Sequence, residues 1–315
     1  MAEIRTTPGR GWTDSVRRFF DGDIWYSFTR SPMTMLAGAT TFLYFFLAAF
    51  GPWVAPHDPF DLASITLLDA SLPPAWLEYG DPRFLLGTDI QGRDMLSAII
   101  YGSRVSLLIG FASVILSLVL GVGLGLISGF VGGAVDAFIM RVAEIQLSFP
   151  SILVALLING VLRGVMDVQN QADLAYAVLI LSIGLSNWVQ FARTVRGSTM
   201  VERNKEYVQA AHVIGISPGL IMWRHILPNV LGPVLVIATI QLALAIIAEA
   251  TLSFLGVGLP PTEPSLGTLI RVGNDYLFSG EWWITIFPGA ALALLVLAVN
   301  LLGDWLRDAL NPRLR

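Results

Sequence analysis

Cysteine is absent from this sequence, which removes disulfides, thiol catalysis and thiolate-held metal from consideration. Lysine occurs once, at Lys205 between Asn204 and Glu206. A P-loop needs Gly-Lys-Ser/Thr, so the chain is not an ATPase by that route. His57, His212 and His225 are scattered, with no His-Glu-x-x-His and no nucleophile motif, which argues against a membrane enzyme and leaves no expected metal site. Charged residues make up only 13% of the chain, against roughly 25% in soluble domains.

What the chain has instead is apolar length. Its 315 residues are 55% hydrophobic, with a mean hydropathy of +0.69. Crossing a hydrocarbon core of about 30 Å as helix takes about 20 apolar residues, and six runs qualify: roughly 33–54, 105–129, 140–162, 174–194, 230–254 and 283–302. The expected fold is therefore an all-α integral membrane protein with six transmembrane helices. About 32 residues, including Glu3, Asp14, Asp21 and Asp23, precede the first run; such a leader is too long and too mixed in charge for a signal peptide, so a retained helix is expected.

Six spans put both termini on one side. The N-terminal segment, the second and fourth loops and the tail then hold 14 of the 19 Lys and Arg residues, leaving Arg83, Arg93, Arg104, Arg163 and Arg271 opposite. The positive-inside rule makes both termini cytoplasmic. Because topology accounts for the basic residues, nothing points to nucleic acid. The chain divides into a cytoplasmic N-terminal segment (1–32), a first helix with an extracytoplasmic cap (33–104), a core of transmembrane helices (105–302) whose cytoplasmic loop covers about 197–228, and a cytoplasmic tail (303–315).

In the cap, "GTDIQGRDMLSAIIYGSRVSL" reads as a short helix, with Thr88 or Asp89 as N-cap and Met95, Ile99 and Ile100 as its apolar face. Asp89, Arg93 and Asp94 read as capping and local pairing. In the second span, Gly121, Gly125, Gly129 and Gly133 form small-xxx-small steps suited to close helix packing. Pro150 removes an interior hydrogen bond and should kink the third helix, as a hinge or a static bend, whereas Pro288 is placed in a first turn. Glu144, one turn from Arg141, and Glu249 are the acidic residues within the runs. Mid-bilayer charge costs about 2.5–3.5 kcal/mol, so each must lie near an end, be paired or be protonated; Glu249 is read as structural, with a gating role open. Asn187, Gln190, Thr239, Gln241 and Asn300 either line a wet path or hydrogen-bond neighbouring helices.

The stretch "EYVQAAHVIGISPGLIMWRHILPN" is different. At 100° per residue Tyr207, Ala210, Ala211 and Ile214 share one face, opposite Lys205, Gln209 and His212. Gly215 supplies a left-handed stop, and Ser217-Pro218 a new start. Its small-residue stripe suits a protein groove better than a lipid interface, which favours large apolar side chains.

This segment resembles the cytoplasmic loop of ATP-binding-cassette importer permeases, whose motif runs Glu-Ala-Ala, three residues, Gly, then Ile-x-Leu-Pro. Gln209-Ala210-Ala211, Gly215 and Leu227-Pro228 align with it; Gln209 stands where Glu is usual, and His225 occupies the Ile slot. "LGTDIQGRDMLSAIIYGSRVSL", "RHILPNVLGPVLV", "AEATLSFLGVGLPP" and "NLLGDWLRDALNP" are similar to the second permease subunit of dipeptide, oligopeptide and nickel importers, from about Ser31 onward.

The resemblance implies a type I importer permease fold and a coupling helix, read as a rigid lever over Arg203 to Ile214. It also implies an ATPase-coupling surface at Glu206, Tyr207, Gln209, Ala210, Ala211, His212, Ile214, Gly215 and Arg224. On that reading Ala210 and Ala211 allow close approach to a groove on the ATPase, while Tyr207 and Ile214 anchor the helix. The implied partners are a homologous second permease, two ABC ATPases that hold ATP and Mg, and an extracytoplasmic binding protein, in a bacterial cytoplasmic membrane. This chain is expected to bind no cofactor itself. Asn187, Gln190, Gln241 and Glu249 are the candidate pathway or gate residues. Peptides are the expected cargo, with nickel or another small solute as the alternative; an ATP-independent channel or carrier is the rival of another class.

Overall fold

The computed structural model describes residues 23–59, 61, 65–165, 174–261 and 263–310. Most of the expected N-terminal segment, the last five residues of the tail and residues 166–173 lie outside them.

A short helix α1 (Asp23–Arg30) precedes α2 (Pro32–Val54), which starts on Ser31, whose side chain accepts from Thr34 N, with Pro32 in the first turn. Then come α3 (Met95–Val131), α4 (Gly133–Leu147), α5 (Ser151–Val165) and α6 (Ala175–Glu202). The short α7 (Glu206–Val213) leads to α8 (Pro218–Phe254), which includes a π-type stretch at Ile221–Ile226. α9 (Leu266–Asn274) and α10 (Trp283–Leu310) complete the described fold. Helices α2, α3, α6, α8 and α10 are each long and apolar enough to cross a membrane, and the bent pair α4–α5 is long and apolar enough for a sixth span when the two are counted together.

The third apolar run is therefore broken rather than kinked: α4 and α5 meet at 97° across residues 148–150. Pro150 can donate no hydrogen bond, and Ser148 N turns back to Glu144 O and Ile145 O to close the last turn of α4. The expected separate helix in the cap is instead the first turns of α3, and Asp94, rather than Thr88 or Asp89, is its N-cap, accepting from Ser97 N at 2.9 Å. Pro288 is placed one turn deeper than expected, because α10 already begins at Trp283.

Helices α3 and α6 form the most extensive pair in the molecule. A Cβ on Gly125 would stand 2.6 Å from Ala192 O, and one on Gly121 would stand 2.5 Å from Trp188 O, so the absence of side chains sets the helix separation there. Gly129 meets Arg196 O and Thr199 in the same way. Gly133 does not belong to this face: α3 has ended, Gly132 and Gly133 both have positive φ (71° and 57°), and a Cβ on Gly133 would meet nothing within 4 Å. The reason is geometric, since the left-handed pair redirects the chain into α4 before the fourth step of the pattern can reach α6.

The cap is tied down by buried polar chemistry. Asp89 and Arg93 form a buried ion pair at 2.6 Å, Trp283 Nε1 donates to Thr88 O at 3.0 Å, and Thr88 Oγ1 donates to Asp69 O at 2.5 Å. Outside it, Asp81 and Asp69 both pair with Arg83 at the surface, and the Arg83 hydrogen bonds hold the Asp81 carboxyl below its usual range.

Candidate functional site

Three constellations bear on function, the first on α7. Val208 and Ala211 are its buried residues, packed in one cluster with Ile221, Ile226 and Val230 of α8. Tyr207 Oη donates to Glu202 Oε2 at 2.6 Å and accepts from Asn229 Nδ2 at 3.2 Å, bracing the helix between the end of α6 and the start of α8. Partial burial, then the bond to the Glu202 carboxylate, push the Tyr207 hydroxyl up to about 12. Gln209 Nε2 donates to Asn204 O at 3.2 Å; the Glu usual at that position in the resembled motif is a pure acceptor when ionised and could not make this bond.

Gly215, at φ +86°, closes α7 in a Schellman arrangement: Ile216 N bonds Ala211 O and Gly215 N bonds His212 O, both at 3.0 Å. The contact face expected from periodicity is rotated by roughly a quarter-turn. Ala211 is only 4% exposed and faces the protein's own core, while Val213 and Ile214 are 89% and 77% exposed, alongside exposed Ala210, Glu206, Gln209 and Arg224. Val208, the bulkier apolar neighbour of Ala211 around the helix, draws the buried face toward itself. Val213 and Trp223, both largely exposed, were not singled out from the sequence; an apolar residue one turn after Gln209 was the available signal. The helix itself is shorter than expected, beginning at Glu206 rather than Arg203.

Two contacts connect this region to α3. His212 stacks on Phe130, ring centroids 5.8 Å apart and 18° from parallel. Arg203 Nη1 donates to the carbonyls of Gly129 and Phe130 at 2.9 and 3.3 Å, meeting the unpaired carbonyls and negative dipole end of α3. Just beyond, Asp136 of α4 is gripped by Arg196 of α6, with Nη2–Oδ2 at 2.6 Å, and by Ser128.

The second constellation is a recess of about 470 Å³ where the α4–α5 break meets α6 and α8. Asn187, Gln190 and Gln241 all line it, together with Gln146, Ser151 and Ser186. A smaller recess of about 320 Å³ shares Ser151, Ser186, Asn187 and Leu244 and continues along α8 to Thr251. At about 1.5 Å per residue, Gln190 lies about 6 Å from the end of the apolar run 174–194, so the recess reaches the Arg193 end of that span. Gln146 shapes its wall: Nε2 donates to Leu185 O and Ser186 O at 3.0 and 2.8 Å, and Oε1 accepts from Trp188 Nε1 at 2.9 Å. It escaped sequence analysis, although a Gln four residues before Pro150 in an apolar run was a visible sign. Thr239 bonds back to Val236 of its own helix, and neither it nor Asn300 lines the recess.

Glu249 is apart from both recesses. It is fully buried, accepting from Ser106 Oγ of α3 at 2.6 Å and from Ser253 Oγ at 2.8 Å, while Leu266 N at the start of α9 donates to the same Ser106 Oγ at 3.2 Å. Its place joins α3 to the last turns of α8 and the start of α9, with both carboxyl oxygens hydrogen-bonded. Glu144, by contrast, is exposed and pairs with Arg141 at 3.3 Å.

Comparisons with known proteins bear on all of this. Residues 121–315 match the family described as binding-protein-dependent transport system inner membrane component, and residues 19–74 match the N-terminal TM domain of oligopeptide transport permease C. The di/tripeptide transport system permease protein of Pseudomonas aeruginosa is 39% identical over 294 residues, covering 93% of this chain and 92% of that protein. The dipeptide transport system permease protein of Escherichia coli K12 is 40% identical, covering 93% of each. Among solved structures, a chain of the MetNI methionine ABC transporter in an inward-facing crystal form superposes with a TM-score of 0.53 at 21% identity, covering 69% of this chain and 98% of that one.

Proposed function

From the premise that the chain belongs to the binding-protein-dependent transport system inner membrane components, and is thus the membrane permease of an ABC importer, we propose that it carries di- and oligopeptides as half of a pore completed by a homologous second permease. Two ABC ATPases holding ATP and Mg dock on its cytoplasmic face, and an extracytoplasmic binding protein delivers cargo. Its termini are cytoplasmic, in keeping with the Lys and Arg distribution. The curated relatives named above, similar over nearly their full length, support the peptide assignment. The observation that carries the docking assignment is the outward apolar face of α7, Ala210, Val213 and Ile214, on a helix braced underneath by Val208, Ala211 and Tyr207.

Mechanically, a short helix with a packed inner face transmits displacement instead of deforming. Closure of the ATPases moves α7, and with it the start of α8 through Tyr207–Asn229 and the end of α3 through His212–Phe130. The pathway candidates Asn187, Gln190 and Gln241 stand on α6 and α8, whose cytoplasmic ends adjoin α7. Reconstitution of the permease pair with its ATPases and binding protein tests this: ATP-dependent uptake of a labelled tripeptide is expected. Uptake that persists with the ATPases omitted would establish the ATP-independent carrier instead.

A further inference from the structure

We propose that the recess at the α4–α5 break engages a peptide by its main-chain amides and carries no charge selectivity of its own. This rests on the peptide reading and adds the chemistry by which this half of the pathway meets its cargo. Three amide side chains, Asn187 and Gln190 from α6 and Gln241 from α8, converge on one recess. Each offers a donor and an acceptor, the same pair that every non-proline peptide unit presents, so each can pair with either end of a peptide bond.

Among the described residues, no ionisable side chain lines either recess. A cargo terminus or charged side chain therefore finds no opposite charge to hold it. The apolar part of the wall, including Leu147, Phe149, Ile240 and Leu244, accommodates side chains without selecting among them. The lining also lacks imidazole and carboxylate groups, the ligands through which a protein binds a divalent transition metal when thiolates are absent. That distinguishes an amide cargo from a bare nickel ion.

Gln241 supplies a second, independent sign. It is 4% exposed, and its Nε2 is buried without a hydrogen-bond partner in the structure. A buried amide donor left unpaired is costly and is rare enough in native proteins to need a reason; a donor that meets its partner once the helices part provides one. Modest hydrogen bonds suit the purpose, because a conduction path must hold its cargo weakly enough to release it.

The test uses the complete transporter, both permeases, ATPases and binding protein, in proteoliposomes. Uptake of trialanine, trilysine and triglutamate is measured, each normalised to the binding protein's own affinity for that peptide. Gln190→Glu, at an exposed position lining the recess, and Gln241→Glu are each expected to lower triglutamate uptake about tenfold relative to trilysine. Gln241→Leu is expected to lower all three alike by about fivefold through loss of one hydrogen bond. Peptide uptake with the same charge ranking in both Glu variants as in the unaltered protein would overturn the proposal. An unaltered transporter that imports none of the three, while still hydrolysing ATP in response to its binding protein, would instead overturn the peptide reading and this proposal with it.

Discussion

Replacing Gly125 with Ala places one methyl group where the α3–α6 packing has no room for it. The added Cβ would lie 2.6 Å from Ala192 O, 2.9 Å from Val195 Cβ and 3.1 Å from Ala192 Cα. Two of these atoms are backbone and cannot rotate aside. Restoring ordinary contact therefore requires α3 and α6 to separate by about 1 Å, along a seam that also holds Gly121 against Trp188 and Gly129 against Arg196. Overpacking of this kind costs about 1–3 kcal/mol. At Gly123, on the same helix, an added Cβ would meet nothing within 4 Å; there alanine is the better helix former by about 1 kcal/mol. Thermal inactivation of the detergent-solubilised protein is expected to shift down by about 2–10 °C for Gly125→Ala and to stay level or rise for Gly123→Ala. Equal behaviour of the two variants would refute the packing argument.

Three further outcomes are expected. Ala211→Arg buries an unpaired cation against the Ile221–Ile226 stretch, a cost of several kcal/mol, and should prevent stable folding; Ala210→Arg, at an exposed site, should leave the isolated permease folded and abolish co-purification of the ATPases. Phe130→Ala removes the ring on which His212 stacks, and reconstituted transporter should hydrolyse ATP while importing several-fold less per ATP, read from paired uptake and phosphate-release assays. The Tyr207 hydroxyl is pushed up from its ordinary 10.0 to about 12, so it favours the native state fully below about pH 10 and loses that contribution as pH rises through about 12. Wild type and Tyr207→Phe should accordingly differ in alkaline sensitivity within that window and nowhere else, as followed by unfolding midpoint against pH.

The spans were legible because lipid demands apolar length, and that demand is written locally. The small-residue seam was legible for the same reason as far as Gly129, since Gly121, Gly125 and Gly129 fall on one helical face. The pattern fails at Gly133 because two successive left-handed glycines end the helix, and spacing alone does not reveal where a helix stops. Pro150 announced a disturbance, but a run of apolar residues reads the same whether straight or bent by 97°. The orientation of α7 depended on Val208 and Ala211 being buried together against α8 segments beyond Gly215. Gln146 and Trp188 lie far apart in the chain, and nothing local in either announces that they meet.

The central claim is that α7 presents Ala210, Val213 and Ile214 to an ATPase subunit. Because the chain contains no cysteine, Ile214→Cys gives a single attachment point for a thiol-directed photo-crosslinker in the assembled transporter. A covalent adduct with the ATPase from Ile214→Cys, and none from Trp53→Cys at the far end of α2, is the expected result. An ATPase adduct formed from Trp53→Cys, with Ile214→Cys reaching only lipid or water, would contradict the account.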